Sequence, residues 1–94
     1  MKIVVVIQVS IKKVETENFS KLAKSMADES FSEKGCLTYK ISKSLLEENE
    51  FLFYEKYENA EALEKHNSSV HFKKFINSIT PMLTQEPIIE KFDA

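Results

Sequence analysis

The residues best placed for proton chemistry fall in one stretch, Phe51 to Phe75, FLFYEKYENAEALEKHNSSVHFKKF. It holds both histidines of the chain, His66 and His71, five residues apart. Histidine ionises near neutral pH, which makes it the natural general base. Phe53, Phe72 and Phe75 would supply apolar walls that keep out water. Tyr39, Glu55 and Tyr57 would orient a hydroxyl or fix a histidine tautomer. Plainer roles are open at each position. His66 ends a short helix, where a cation suits the dipole, and His71 in the first turn of the next helix suits capping or packing. Glu55 suits a cross-hairpin ion pair with Lys40 or Lys43. Phe72 and Phe75 at helical spacing suit the core first. Two histidines with no third donor in register make a poor metal site, so no metal is expected. Cys36 reads as a buried strand cysteine, not a nucleophile.

Ninety-four residues, 43% hydrophobic and 30% charged, fit one small globular domain over 1–94 and exclude a disordered chain. Fifteen acids outweigh 13 basic residues, all of them lysine, for a net charge of -2. The missing arginine and the missing basic excess argue against a nucleic-acid partner. The longest apolar run, Ile3 to Ile7, is too short to cross a bilayer. Gln8 breaks that run, and Lys12 and Lys13 follow without a small-residue cleavage site. One cysteine rules out an internal disulfide. The expectation is a cytoplasmic protein without a membrane segment.

Residues 3–11, IVVVIQVSI, read as a strand whose first half is apolar on both faces. Residues 15–33 carry helical periodicity through Phe19, Leu22, Ala23, Met26 and Ala27, with Phe31 extending the stripe. Gly35 follows at the place of a left-handed helix cap. Residues 36–43 alternate, with Leu37, Tyr39 and Ile41 on one face, and pair back with Phe51 to Tyr57 as a hairpin. On that second strand Phe51, Phe53, Glu55 and Tyr57 share a face, and Leu52 and Tyr54 share the other. Asn59 caps a helix over 60–66, and Ser68 or Ser69 caps the next, with a stripe through Phe72, Phe75, Ile76, Ile79 and Leu83. Pro81 strains the end of that helix, and Pro87 introduces a last strand over 88–92.

The order β-α-β-β-α-α-β suits an α+β, ferredoxin-like fold: a four-stranded antiparallel sheet with helices on one face. The other face would stay bare. Strands apolar on two sides, covered by helices on one, predict a homodimer that buries the open sheet face.

Three segments carry a resemblance: EKGCLTYKIS (Glu33 to Ser42), FYEKYENAEALEKHNSSVHFKKF (Phe53 to Phe75) and PIIEKF (Pro87 to Phe92). They resemble the antibiotic biosynthesis monooxygenase family, whose pattern reads roughly E-P-G-C-x-x-Y, then E-x-[WY]-x-[DN]-x-x-A-x-x-x-H-x-x-[ST]-x-H-F-x-x-F. The resemblance implies a dimeric α+β barrel with a pocket in each subunit. It places motif residues at Glu33, Gly35, Cys36, Tyr39, Glu55, Tyr57, His66, His71, Phe72 and Phe75. An arginine common in the family is here Phe31, the motif proline is Lys34, and a frequent tryptophan is Tyr57.

The function it implies is a monooxygenase, working without a cofactor, that oxidises a quinol-like or polyphenolic aromatic with O2. His66 and His71 would be catalytic, and Tyr39, Phe53, Glu55, Tyr57, Phe72 and Phe75 would bind a small apolar or aromatic substrate. The alternative is a non-catalytic dimer that binds a small ligand or accompanies stress. Two other activities of the family fit less well. The asparagine, tryptophan and haem-ligating histidine of haem-degrading members align with Ile7, His66 and Ile76. A phospho-sugar isomerase would lack an arginine for its phosphate.

Overall fold

The computed structural model describes residues 1–94. Its elements run β1 (Ile3–Ser10), α1 (Thr16–Phe31), β2 (Cys36–Lys43), β3 (Glu50–Tyr57), α2 (Ala60–Asn67), α3 (Val70–Ile79) and β4 (Ile88–Asp93). A 3-10 turn at Lys13–Glu15 leads into α1, and another at Thr80–Met82 follows α3. All neighbouring strands are antiparallel, in the order β2-β3-β1-β4. The fold is the expected α+β, ferredoxin-like plan. No helix is long and apolar enough to cross a membrane.

Burial alternates along β3: Phe51, Phe53, Glu55 and Tyr57 are buried under the helices, and Leu52 and Tyr54 lie on the far face. Register carries this pattern across the sheet. Tyr39, Glu55 and Val5 form one row, with Ile41, Phe53 and Ile7 beside it. The far face is left uncovered, with Leu52, Tyr54, Ile88 and Phe92 between 37% and 50% exposed. On the covered side, Phe19 of α1 packs with Phe51, Phe53 and Phe75 at ring separations of 4.7 to 6.2 Å.

Several boundaries follow from local chemistry. Asn59 accepts a hydrogen bond from the Ala62 N–H at 2.8 Å and starts α2. Ser69, not Ser68, caps α3, accepting from the Phe72 N–H at 3.2 Å. The α-helical stretch closes at Ile79 and tightens into the 3-10 turn Thr80–Met82, because Pro81 has no N–H to donate to a carbonyl of the preceding turn. Thr80 before it keeps helical angles, against the expectation that the residue preceding proline leaves that region.

Three sequence expectations are corrected. The buried stripe of α1 runs Phe19, Ala23, Met26 and Ser30, while Phe31 is exposed. At 3.6 residues per turn, position 30 lies about 20° from Phe19 and position 31 about 120° away. In β2, a bulge between Cys36 and Thr38 breaks the alternation. Cys36 is buried opposite Tyr57, and Leu37, expected beside Tyr39, is exposed. Third, Gly35 is not a left-handed cap, since no glycine has positive φ.

The reason for glycine at 35 is a close approach. A Cβ built there would collide with the Cβ of Ala62 in α2. The chain between α1 and β2 therefore lies directly against α2, which sets how near α2 comes to the sheet. Replacing Gly35 by alanine should cost about 1–3 kcal/mol, the usual range for overpacking a tight contact. Adding Ala62→Gly should recover part of that loss, measured by urea unfolding of both single variants and the double. A double variant that shows only the sum of the single losses would mean the contact does not limit the packing.

Candidate active site

Four elements bring their polar side chains to one place beneath α2 and α3. Glu55 and Tyr57 come from β3 at the centre of the sheet, and Tyr39 from β2 lies in register with Glu55. His66 stands in the last turn of α2, His71 in the first turn of α3, and Glu33 in the turn between α1 and β2. Glu33 is the hub. Its carboxylate oxygens lie 3.0 and 3.1 Å from His66 Nδ1, and Oε2 lies 2.5 Å from His71 Nε2. A carboxylate offers only lone pairs, so both imidazoles donate N–H to it.

That bond fixes the His66 tautomer. With the proton on Nδ1, the lone pair sits on Nε2, which is buried and has no hydrogen-bond partner. His66 is only 1% exposed, so this is a substantial anomaly for a polar ring. Around it stand the rings of Phe72, Tyr57 and Tyr39 at 5.1, 5.3 and 5.9 Å, and the Glu55 carboxylate 3.7 Å from Nε2. Burial lowers the His66 pKa, against an upward pull from Glu33, so the ring is held neutral at neutral pH.

Glu55 is 3% exposed and accepts a hydrogen bond from the Tyr57 hydroxyl at 2.6 Å. Burial pushes its pKa up to about 7, and the hydroxyls of Tyr57 and Tyr39 pull it partly back. Burial, with Glu55 adding to it, also raises both tyrosines, so they stay protonated donors. The expected ion pair with lysine does not form: Lys40 lies opposite Tyr54, and Lys43 opposite Phe51. Cross-strand register decides it, because the two lysines are not in Glu55's row. Burial lifts the Cys36 thiol to about 11, which fits a structural cysteine.

The structure thus brings together His66, His71, Glu55, Tyr57, Tyr39 and Phe72. Phe53 and Phe75 belong to the packed aromatic core, with ring centres 6.2 Å apart. Glu33 stands in the motif but outside the residues expected to do chemistry. Its one local signal is its place beside Gly35, where the close approach to α2 occurs. It also overturns the expectation that the histidines lack a third donor, since Glu33, His66 and His71 present ligand atoms within 4.8 Å of one another. From solvent, a cleft of about 350 Å³ reaches Glu33 and His71, lined also by Gly35, Asn59, Ala62 and Ser69.

A fold of this order with a histidine–carboxylate cluster under the helices defines a small ferredoxin-like α+β protein with a buried acid–base site. The family model described as antibiotic biosynthesis monooxygenase matches residues 2–78, and the chain belongs to that family. It is 31% identical over 83 residues to an uncharacterised Synechocystis protein, covering 88% of this chain and 56% of that one. The chain thus spans little more than half the length of that relative. It is also 31% identical over 68 residues, 72% of each chain, to YcnE of Bacillus subtilis, provisionally named a monooxygenase. A Caulobacter crescentus structure, provisionally named an antibiotic biosynthesis monooxygenase, superposes with a TM-score of 0.94 at 29% identity, covering 99% of this chain and 89% of that one.

The buried Glu55 gives a pH dependence with a definite sign. Between the ordinary value of 4.5 and about 7 the folded chain keeps a proton that the unfolded chain has released. Stability from this group is therefore complete below pH 4.5 and is lost as pH rises through 7. Glu55→Gln keeps an acceptor for Tyr57 and removes the titration. Its stability relative to wild type should improve by roughly 3 kcal/mol between pH 4.5 and 8, read from urea unfolding at each pH. A gap that stays constant with pH would show that Glu55 is not held protonated.

Proposed function

We propose that the protein is a monooxygenase that oxidises a small hydroxylated aromatic, a quinol or polyphenol, with O2, using His66 as base and no bound redox group. The observation that carries this is the unpartnered, buried Nε2 of His66, aimed among aromatic rings while Glu33 holds Nδ1. A phenol reacts with oxygen far faster as its anion, so the protein's task is deprotonation in a dry site. The substrate proton passes to Nε2, and the imidazolium that forms is stabilised by Glu33 across Nδ1–H. The anion's ortho ring carbon, which carries a hydrogen in a hydroquinone, then bonds to O2. The O–O bond breaks with loss of water, one oxygen stays on that carbon in a hydroxyquinone product, and the substrate supplies all four electrons.

Glu33 is a positioning residue here, and Glu55, Tyr39 and Tyr57 surround the substrate oxygen. His71 holds Glu33 in place from the cleft side. Because Nε2 is shielded from solvent, a substrate reaches it only when neighbouring side chains move. Phe72 is the half-buried ring packed closest to His66. The open sheet face has its own part in this proposal: a second copy covers Val6, Leu52, Tyr54, Ile88 and Phe92, and the working unit is a homodimer.

Oxygen uptake with a panel of hydroquinones should be protein-dependent, and His66→Ala should reduce it by about 10²–10⁴-fold, the usual worth of a positioned base. The rate should fall as pH drops through the lowered His66 value, below the ordinary 6.5. Glu33 raises that value, so Glu33→Gln should move the acid limb to still lower pH. A folded His66→Ala variant with undiminished turnover would rule out the base.

For the second copy, sedimentation should give twice the 10.9 kDa chain mass, with a melting temperature that rises with concentration. Leu52→Glu should shift the protein toward the monomer. A wild-type mass of one chain would refute the dimer.

A further inference from the structure

We propose that Glu33, His66 and His71 form a binding site for a first-row divalent transition cation such as zinc, with three protein ligands and a further position open to the cleft. In a continuous helix two residues five apart would point about 140° away from each other. Here the corner between α2 and α3 folds them together. Ser69 makes that corner: its hydroxyl donates to the His66 carbonyl at 2.7 Å and accepts from the Phe72 N–H. The two imidazole centres end 6.0 Å apart, with the Glu33 carboxylate between their facing nitrogens.

Donor separations suit a small cation. Glu33 Oε2 lies 3.0 Å from His66 Nδ1 and 2.5 Å from His71 Nε2, and the three ligand atoms lie within 4.8 Å of one another. Bonds of about 2.0–2.2 Å need only a small opening of this cluster. Two imidazoles and one carboxylate favour zinc and its first-row neighbours over magnesium or calcium, which take all-oxygen shells.

An independent observation lies on the far side of each ring. The His66 nitrogen facing away from Glu33, Nε2, lies 3.7 Å from Glu55 Oε1. The corresponding His71 nitrogen, Nδ1, lies 4.0 Å from Glu29 Oε2. Both rings therefore have a carboxylate behind them, the arrangement that orients histidine ligands and accepts their outer proton. A cation at the inner nitrogens moves each proton outward, and Nε2 of His66, unpartnered with the proton on Nδ1, becomes a donor to Glu55. On the oxygenase proposal, cation and catalytic base then exclude one another. The site itself does not depend on that proposal, because binding is read without turnover.

The chelator-treated protein, titrated with zinc by calorimetry at neutral pH, should bind one ion per chain in the micromolar range or tighter. Cobalt(II) should develop the visible absorption of a four- or five-coordinate site, and magnesium in large excess should not compete. Glu55→Gln and Glu29→Gln should each weaken zinc by about 10–100-fold, the usual worth of an outer carboxylate. His71→Ala should weaken it further. This ring lines the cleft and belongs to neither hydrophobic core cluster, so circular dichroism and urea unfolding of the variant should show a folded chain. Glu61→Gln, in the same cleft but outside the cluster, should leave affinity unchanged. The proposal is overturned by the lack of saturable zinc binding in the micromolar range. It is equally overturned by binding that survives both His71→Ala and Glu33→Gln unweakened.

Discussion

One carboxylate shared by two imidazoles holds the site together. Glu33 has no regular secondary structure to stand on, yet it ties the end of α1 to the last turn of α2 and the first turn of α3. In a partly buried setting such charge-assisted bonds are stronger than neutral ones. Because a carboxylate accepts and cannot donate, it also dictates the proton position on each ring. The direction in which His66 presents its lone pair is thus decided on the side facing away from the aromatic interior.

That bond is possible only because the chain around it is unusually close-packed. Gly35 lets the turn after α1 come against Ala62, which brings Glu33 under α2. Ser69 closes the corner that turns His71 back toward His66. The bulge after Cys36 restores Tyr39 to the covered face, opposite Glu55. Each of these is a backbone device, and none involves a residue that does chemistry. The geometry of this site rests on two turns and a bulge more than on the regular elements between them.

Much of the fold was legible in the chain because burial on one face imposes a period. The alternation of β3, the stripe of α1 and the caps at Asn59 and Ser69 are local signals, and they predict the observed elements within a residue or two. What was not legible depends on contacts distant in sequence. The bulge at Leu37 costs one residue of register, and it shows only when β2 is laid against β3. Gly35 carries no mark in the sequence that separates a left-handed cap from a close approach. Glu33 and the histidines are 33 and 38 residues apart, so no spacing rule joins them. For the same reason the histidine pair looked like a poor metal site: the third donor comes from another part of the chain.

The charge balance of the cluster decides what it can hold. Glu29, Glu33 and Glu55 all lie within 4.0 Å of an imidazole nitrogen, and no lysine bridges to any of them. Burial disfavours the ionised form of Glu55 and the charge of Glu33 adds to this, so a proton or a cation beside Glu55 is favoured. Burial keeps positive charge off His66, whose pKa is lowered, and Glu55 takes a proton up to about pH 7. On the two proposals, a substrate proton and a divalent cation would answer the same electrostatic need in different places. The first would charge His66 at Nε2 beside Glu55. The second would sit at Nδ1 beside Glu33. Since one imidazole cannot be metallated on Nδ1 and remain an open base at Nε2 without shedding its last proton, the cluster can serve only one of them at a time.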